Sequence, residues 1–219
     1  MKIATWNVER LRHKSKLSEI VNVCNSIQAD ILILTETDER IRPNFKYCFK
    51  TPALSELHSD MYLPTENRVS IYTNYEGLLQ YDTYDKYTSV CVMLDTQHGK
   101  LLVYGTIIGV YGNRDSTFMP ELQQQMNDVA RLSKLGDGLC FCGDFNCSFV
   151  DNYYFTKDGR NSILGAFRQN DITILTQAKK ECVDHIALSN RFLSDRSVQI
   201  EEWNFDKSLS DHKGIAVTF

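Results

Sequence analysis

The apolar positions of this chain follow two patterns. Ile31-Leu32-Ile33-Leu34 is four consecutive aliphatics, which predicts a strand covered on both faces. Leu139 to Cys142 is a second short apolar run, ended by Gly143. Lys2 to Trp6 alternates and also predicts a strand. Helical spacing appears twice. Leu17, Ile20, Val21, Cys24 and Ile27 mark one face of a segment running from about Ser15, read as its N-cap, through Ile27. Leu122, Met126, Val129 and Leu132 make a second stripe, with Pro120 in its first turn and Gly136 at its C-terminal stop.

The remaining pattern is strand-rich. Val69 to Thr73, Ile172 to Leu175, Val183 to Ser189, Val198 to Trp203 and Ile215 to Phe219 read as strands. Thr88 to Leu94 and Lys100 to Ile108 are two more, joined through Asp95-Thr96-Gln97-His98-Gly99 with hairpin chemistry. Arg40 to Asn67 is weakly patterned and broken by Pro43, Pro52 and Pro64, so loops and short elements are expected there. Asn152 to Arg160 reads as a surface loop and Ser162 to Gln169 as a short helix. No repeat, low-complexity tract or linker interrupts the chain. Many strands and few helices therefore predict one domain over residues 1–219, with two packed sheets and helices outside.

Composition narrows the class. With 42% hydrophobic and 24% charged residues the profile is globular. A net charge of −4 excludes a broadly basic surface while allowing a local basic groove. The N-terminus, Met1-Lys2-Ile3-Ala4-Thr5-Trp6-Asn7, has no long apolar core, so no signal peptide is expected, and no run is long enough to span a membrane. Seven cysteines, an odd number without framework spacing, fit free thiols in a reducing, cytoplasmic compartment. Cys140-x-Cys142 with Cys147 is not read as a zinc site: the first two fall inside an apolar strand, and no Cys-x-x-Cys pair occurs.

The chemistry concentrates at predicted strand ends. Asp144 and Asn146 follow Gly143, two positions apart, so a carboxylate and a carboxamide project together. Four other segments share this design: Thr5-Trp6-Asn7-Val8-Glu9, Leu34-Thr35-Glu36-Thr37, Val183-Asp184-His185-Ile186 and Ser210-Asp211-His212. Each has an ordinary alternative. Gly, Asp and Asn are common turn residues, Glu36 suits a helix N-terminus, Ser210-Asp211 is a common cap pair, and His185 merely flanks a strand. Five unrelated turns would not be expected to supply carboxylates, amides and a histidine in this order.

These segments, in their order, resemble the endonuclease/exonuclease/phosphatase superfamily. Gly-Asp-Phe-Asn with the terminal Ser-Asp-His is the specific pair, and the resemblance spans almost the whole chain. It implies an α/β (α+β) fold of the DNase I-like kind: a four-layer α/β/β/α sandwich of two mixed sheets flanked by helices. It also implies hydrolysis of phosphate esters with Mg²⁺ or Mn²⁺. By the same resemblance Glu36 is the principal metal ligand, helped by Asn7, Glu9 and Asp211. Asp144 orients or deprotonates the attacking water, and Asn146 donates to the phosphate. His212 contacts the phosphoryl group or acts as general acid or base, and Asp184 orients its imidazole. Mg²⁺ prefers oxygen ligands and keeps several waters, so one or two direct carboxylates suffice.

The departures matter too. Many relatives carry a second histidine on the segment before the second helix, whereas Tyr104 to Arg114 contains none. Tyr111 is the candidate to replace it, and Asn113 and Arg114 are candidates to touch phosphate, against the alternative of a surface turn. Arg10, Arg12, His13, Lys14 and Lys16 form a basic run beside the Asn7 turn that suits a nucleic-acid backbone or, equally, a solvated helix start. The expected partner is thus nucleic acid or another phosphate ester, with no obligate protein partner evident. A nuclease is the leading expectation, a phosphatase of a small or lipid phosphate the alternative, and a non-catalytic module retaining the fold the third possibility.

Overall fold

The computed structural model describes residues 1–219. Its first sheet begins with β1 (Lys2–Asn7), α1 (Leu17–Ser26) and β2 (Ile31–Asp38), followed by β3 (Tyr47–Lys50) and β4 (Glu66–Thr73). The second contains β5 (Glu76–Tyr81), β6 (Ser89–Thr96), β7 (Gly99–Ile107), β8 (Gly138–Asp144), β9 (Ile172–Ile174) and β10 (Asp184–Ser189). The chain then returns to the first sheet with β11 (Gln199–Trp203) and β12 (Gly214–Thr218). The helices α2 (Phe118–Leu132), α3 (Lys157–Gln169) and the single turn α4 (Asn190–Leu193) complete it. Strand order is β11-β12-β1-β2-β4-β3 in one sheet and β5-β6-β7-β8-β10-β9 in the other.

Each sheet is built around one parallel pair joined by a helix. Ile3 pairs with Ile31 and Asn7 with Thr35 across β1 and β2, while Leu101 pairs with Gly138 and Ile107 with Asp144 across β7 and β8. All other pairings are antiparallel. The aliphatic runs follow from burial on both sides. Ile31 and Ile33 face the other sheet, where they meet Val103, Cys140 and Ile186, while Leu32 and Leu34 face Ile20 and Cys24 of α1. On the far side, Tyr104 and Phe141 meet Leu122, Met126 and Val129 of α2 and Phe167 of α3. The result is the four-layer sandwich, with a dry seam between sheets and a second apolar layer under each set of helices.

Residues 40–67 hold only short elements before β4, as expected, among them β3, whereas Glu76–Tyr81 forms β5, which the sequence reading did not assign; both are edge strands. Their half-exposed alternation, with Leu78 and Leu79 at the surface, gives no buried run to read. Other expectations are corrected. Helix α3 starts at Lys157 rather than Ser162, because Thr156 accepts the Gly159 N–H through its hydroxyl and caps a polar first turn. Ser15 is not a cap: it lies in a separate short turn, Lys14–Lys16, ahead of α1. No helix is long and apolar enough to cross a membrane.

Candidate active site

The two sheets meet at one end through side chains. There β1 finishes at Asn7, β2 carries Glu36 near its end at Asp38, β8 finishes at Asp144, and the loop before β12 supplies Asp211 and His212. Asn7 Nδ2 donates to Asp144 Oδ2 at 3.1 Å, bridging the sheets, and Asn7 Oδ1 accepts the Glu9 N–H at 3.0 Å. Asp144 Oδ1 accepts the Asn146 N–H at 2.8 Å, so both carboxylate oxygens are held. Gly143, with φ +138, permits this: a Cβ there would lie 2.0 Å from the Thr106 carbonyl oxygen.

His212 and Asp184 form the tightest contact. His212 Nδ1 donates to Asp184 Oδ2 at 2.6 Å, which leaves Nε2 directed toward Asp211, whose Oδ1 is 3.6 Å away. The main chain of His212 is held as well, because Trp6 Nε1 and Asn204 Nδ2 both donate to its backbone carbonyl, at 3.0 and 2.7 Å. Burial alone would lower the His212 pKa, but Asp184, as charge and as hydrogen-bond acceptor, with Asp144 and Asp211, pushes it up to about 10. Asp184 sits directly opposite Asp144 in the β10–β8 register. Burial pushes Asp144 up to about 7, Asp184 adds to this, and His212, Asn146 and Asn7 work against it.

Around this centre lies a cavity of about 680 Å³, lined by Asn7, Glu9, Glu36, Asp144, Asp211 and His212, among others. Glu9 Oε2 accepts the Asp211 N–H at 2.8 Å, and its carboxylate neighbours Arg12 and His13. Glu36 lines the cavity without an ion-pair partner. No three His, Cys, Asp or Glu side chains are gathered into a cage. The donors are oxygens, one carboxylate is unpaired and the cavity is roomy, which fits a hard, hydrated cation rather than a soft metal.

Other sequence candidates lie differently. Asn146 Nδ2 donates to the carbonyls of Ile108 and Gly109, at 3.0 and 3.2 Å, so its amide hydrogens brace the loop before α2. Asn113 is buried and donates to the Asn146 carbonyl at 2.8 Å. Tyr111 is 66% exposed and lines no part of this cavity; Arg114 is exposed beside it. His185 is fully buried, its Nε2 shared between the Cys147 and Cys182 carbonyls, and burial lowers its pKa to about 4.

Two supporting residues received no role in the sequence reading: Ser210, seen there only as part of the Ser-Asp-His segment, and Gln125, not singled out. Ser210 Oγ donates to the Asn7 carbonyl at 2.6 Å and accepts the His212 N–H, tying the first strand to the last loop. Gln125 accepts from Thr106 and donates to the Ile107 carbonyl, both at 2.9 Å, fixing the end of β7. Its signal was a polar residue beside the apolar stripe of α2.

Solved structures share this architecture. A 3′ phosphatase from Neisseria, bound to a product DNA hairpin, superposes with TM-score 0.70 at 16% identity, covering 100% of this chain and 99% of that one. An AP endonuclease from Archaeoglobus fulgidus gives 0.68 at 17% identity with the same coverages. Beta toxin from Staphylococcus aureus gives 0.63 at 14%, again covering 100% and 99%. At these identities the likeness is one of fold. No curated protein matches the sequence. The sequence pattern of the Endonuclease/Exonuclease/phosphatase family matches residues 4–212, from β1 to the catalytic histidine candidate. With the strand-end acids, the buried Asp184–His212 pair and the sandwich all in place, the chain belongs to the Endonuclease/Exonuclease/phosphatase family of phosphoric ester hydrolases.

Proposed function

We propose that this phosphoester hydrolase is an Mg²⁺- or Mn²⁺-dependent phosphodiesterase that cleaves nucleic acid by in-line attack of water. The observation that carries the reading is one cavity faced by Asp144, by His212 held on Asp184, and by the unpaired Glu36. Glu36 would hold the cation, with Asp211, Glu9 and Asn7 as further oxygen donors around it. A divalent cation there would neutralise charge developing on the phosphoryl oxygens and favour the ionised form of Asp144.

The remaining steps fall to the protein. Asp144, fixed through both oxygens, orients the water and takes its proton on a free lone pair. His212, protonated at neutral pH and locked in orientation by Asp184, offers Nε2–H to a phosphoryl oxygen or to the leaving oxygen. Asn146 acts through its backbone N–H on Asp144 and through its bracing of residues 108–109. Arg10, Arg12 and Lys14 line the same cavity and suit the phosphates flanking the scissile one.

The test is a panel of phosphodiesters and phosphomonoesters incubated with Mg²⁺, with Mn²⁺ or with chelator. Diester hydrolysis should stop with chelator and return with either ion. Full activity in metal-free buffer would remove the cation from the mechanism, and turnover of monoesters alone would make the enzyme a phosphatase. Binding of an oligonucleotide should weaken as salt rises, with a shallow slope set by the few cations at the rim. A steep slope would reveal a more extensive basic surface.

A further inference from the structure

Helix α2 buries Gln125 completely, on a face otherwise made of Phe118, Leu122, Met126, Val129 and Leu132, with Asp128 the other polar member. A buried amide costs stability unless its polar atoms are met. Here both ends are: Oε1 accepts the Thr106 hydroxyl and Nε2 donates to the Ile107 carbonyl, each at 2.9 Å. Asp128 serves as a strut, accepting from Tyr104, from Arg131 and from the Tyr84 N–H. Gln125 differs in what lies beyond the group it holds.

Strand β6 stops pairing with β7 at Ser89 and Thr106, one residue short of Ile107. The Ile107 carbonyl therefore lies past the end of that ladder, where Gln125 takes the place of a strand neighbour. The same peptide unit carries the Ile108 N–H, which donates to the Asp144 carbonyl at 2.8 Å. A peptide unit is planar, so fixing its oxygen fixes the direction of its N–H. The next unit is tied in as well. The Ile108 carbonyl accepts Asn146 Nδ2 at 3.0 Å, and the Asn146 N–H holds Asp144 Oδ1 at 2.8 Å. Asp144 is thus bonded to residues 107–108 once through its main chain and once, by way of Asn146, through its carboxylate. Gln125 grips this assembly from the helix side and lines no part of the cavity.

We infer that Gln125 is a positioning residue for phosphoester hydrolysis: without touching substrate or cation, it sets the Ile107–Ile108 peptide from which Asp144 is hung. The inference rests on the reading of Asp144 as the group that orients the water. Misplacing such a group by about 1 Å costs on the order of 100-fold in rate, so a helix residue behind the sheet governs turnover.

Gln125→Met keeps the length of the side chain and removes both bonds. Val129→Ala, one turn further along the same buried face, is the control for lost packing alone. Steady-state kinetics use the ester of the panel above that the wild type hydrolyses fastest, with urea denaturation alongside. Gln125→Met should lower kcat by roughly 10- to 100-fold with KM near its wild-type value. Its Ile108 amide hydrogen should also exchange faster relative to amides in the middle of β8. Val129→Ala should lose stability while keeping both kcat and that exchange ratio. In an Asp144→Asn background, Gln125→Met should reduce the residual turnover little further, because the two act as a unit. Wild-type kcat in Gln125→Met, an equal loss of kcat in Val129→Ala, or an undiminished loss in the Asp144→Asn background would overturn the role of Gln125. Wild-type turnover in Asp144→Asn by itself is a separate result: it would overturn the reading of Asp144, and the inference with it.

Discussion

Two crossover units face each other across the active site, β1–α1–β2 in one sheet and β7–α2–β8 in the other. Both are parallel pairs bridged by a helix, yet they deliver their side chains by different means. The first presents its acids from strained backbone: Glu9, Arg10, Leu11 and Glu36 all have left-handed φ, between +43 and +55. The second keeps Asp144 within the strand ladder and concentrates its special conformations at Gly143 and Asn146. A glycine cannot replace Glu9 or Glu36, because the side chain is what the cavity needs. The first unit therefore stores strain, of order 1–3 kcal/mol per residue, in the donors that would meet a cation. The second avoids most of it by separating the turn-maker from the acid.

The sharpest challenge to this division lies where both sheets meet His212. His212→Ala should lower turnover by roughly 10²–10⁴-fold, and Asp184→Asn should lower it as well, because an amide no longer fixes the imidazole. The double variant should be little worse than His212→Ala, since groups acting as a unit are not additive; fully additive losses in steady-state kinetics would separate the two residues. Next in size is the rigidity of the second unit. Gly143→Ala drives a methyl against the Thr106 carbonyl and should cost about 2–4 kcal/mol in urea denaturation. A loss under about 0.5 kcal/mol, the scale of a neutral surface change, would mean that β8 shifts freely.

The second sheet should also carry an acid sensitivity. His185 is neutral in its buried site until about pH 4, whereas an unfolded histidine takes a proton near 6.5. Its contribution is present above pH 6.5 and lost as pH falls toward 4, by up to roughly 3 kcal/mol. Asp144, raised to about 7, acts in the opposite sense over that window. The readout is therefore a slope: stability of His185→Gln measured from pH 7 to 4.5 should fall less steeply than that of the wild type, and parallel slopes would exclude His185 as the cause.

Smaller still is the effect on the first unit of Glu36→Gln. It should raise the Mg²⁺ concentration for half-maximal activity by roughly 10–100-fold or more while leaving the melting temperature near its original value. An unchanged Mg²⁺ requirement would remove Glu36 from the donor set. Gly165 marks the least demanding position. It lies inside α3, where an added methyl would meet nothing within 4 Å, so Gly165→Ala should stabilise by about 0.5–1 kcal/mol in the same denaturation assay.

What was legible in the sequence tracks what is buried. Strands β2 and β8 of the two crossovers lie between two apolar layers and so read as continuous apolar runs, and the crossover helices carry one clean stripe each. Edge strands β3 and β5 face water on one side and left no such trace. The repeated crossover is a likeness of topology, which is why no repeated residues announced it. At the site, residues whose side chains carry charge were visible as strand-end acids and a histidine. The roles of Ser210 and Gln125 were not, because they work by holding backbone atoms of distant residues. The order of residues 152–160 was hidden for a related reason: they look like polar surface until Arg160 and Asp151 are seen to tether the loop, Arg160 by donating to the Ser148 and Asp151 carbonyls and Asp151 by accepting the Glu181 N–H.

The bond from Ser210 to Asn7 also bears on how the enzyme is made. It joins residues 203 positions apart, and β12 completes the hydrogen bonding of β1 along its open side. On a ribosome moving at about 5–20 residues per second, Asn7 and Glu9 would emerge roughly ten seconds or more before His212. Until then β1 presents an unpaired edge, a place where a nascent chain is prone to stray pairing. Asn7, Glu9 and His212 are therefore gathered into one cavity only once the chain from residue 210 onward has reached β1.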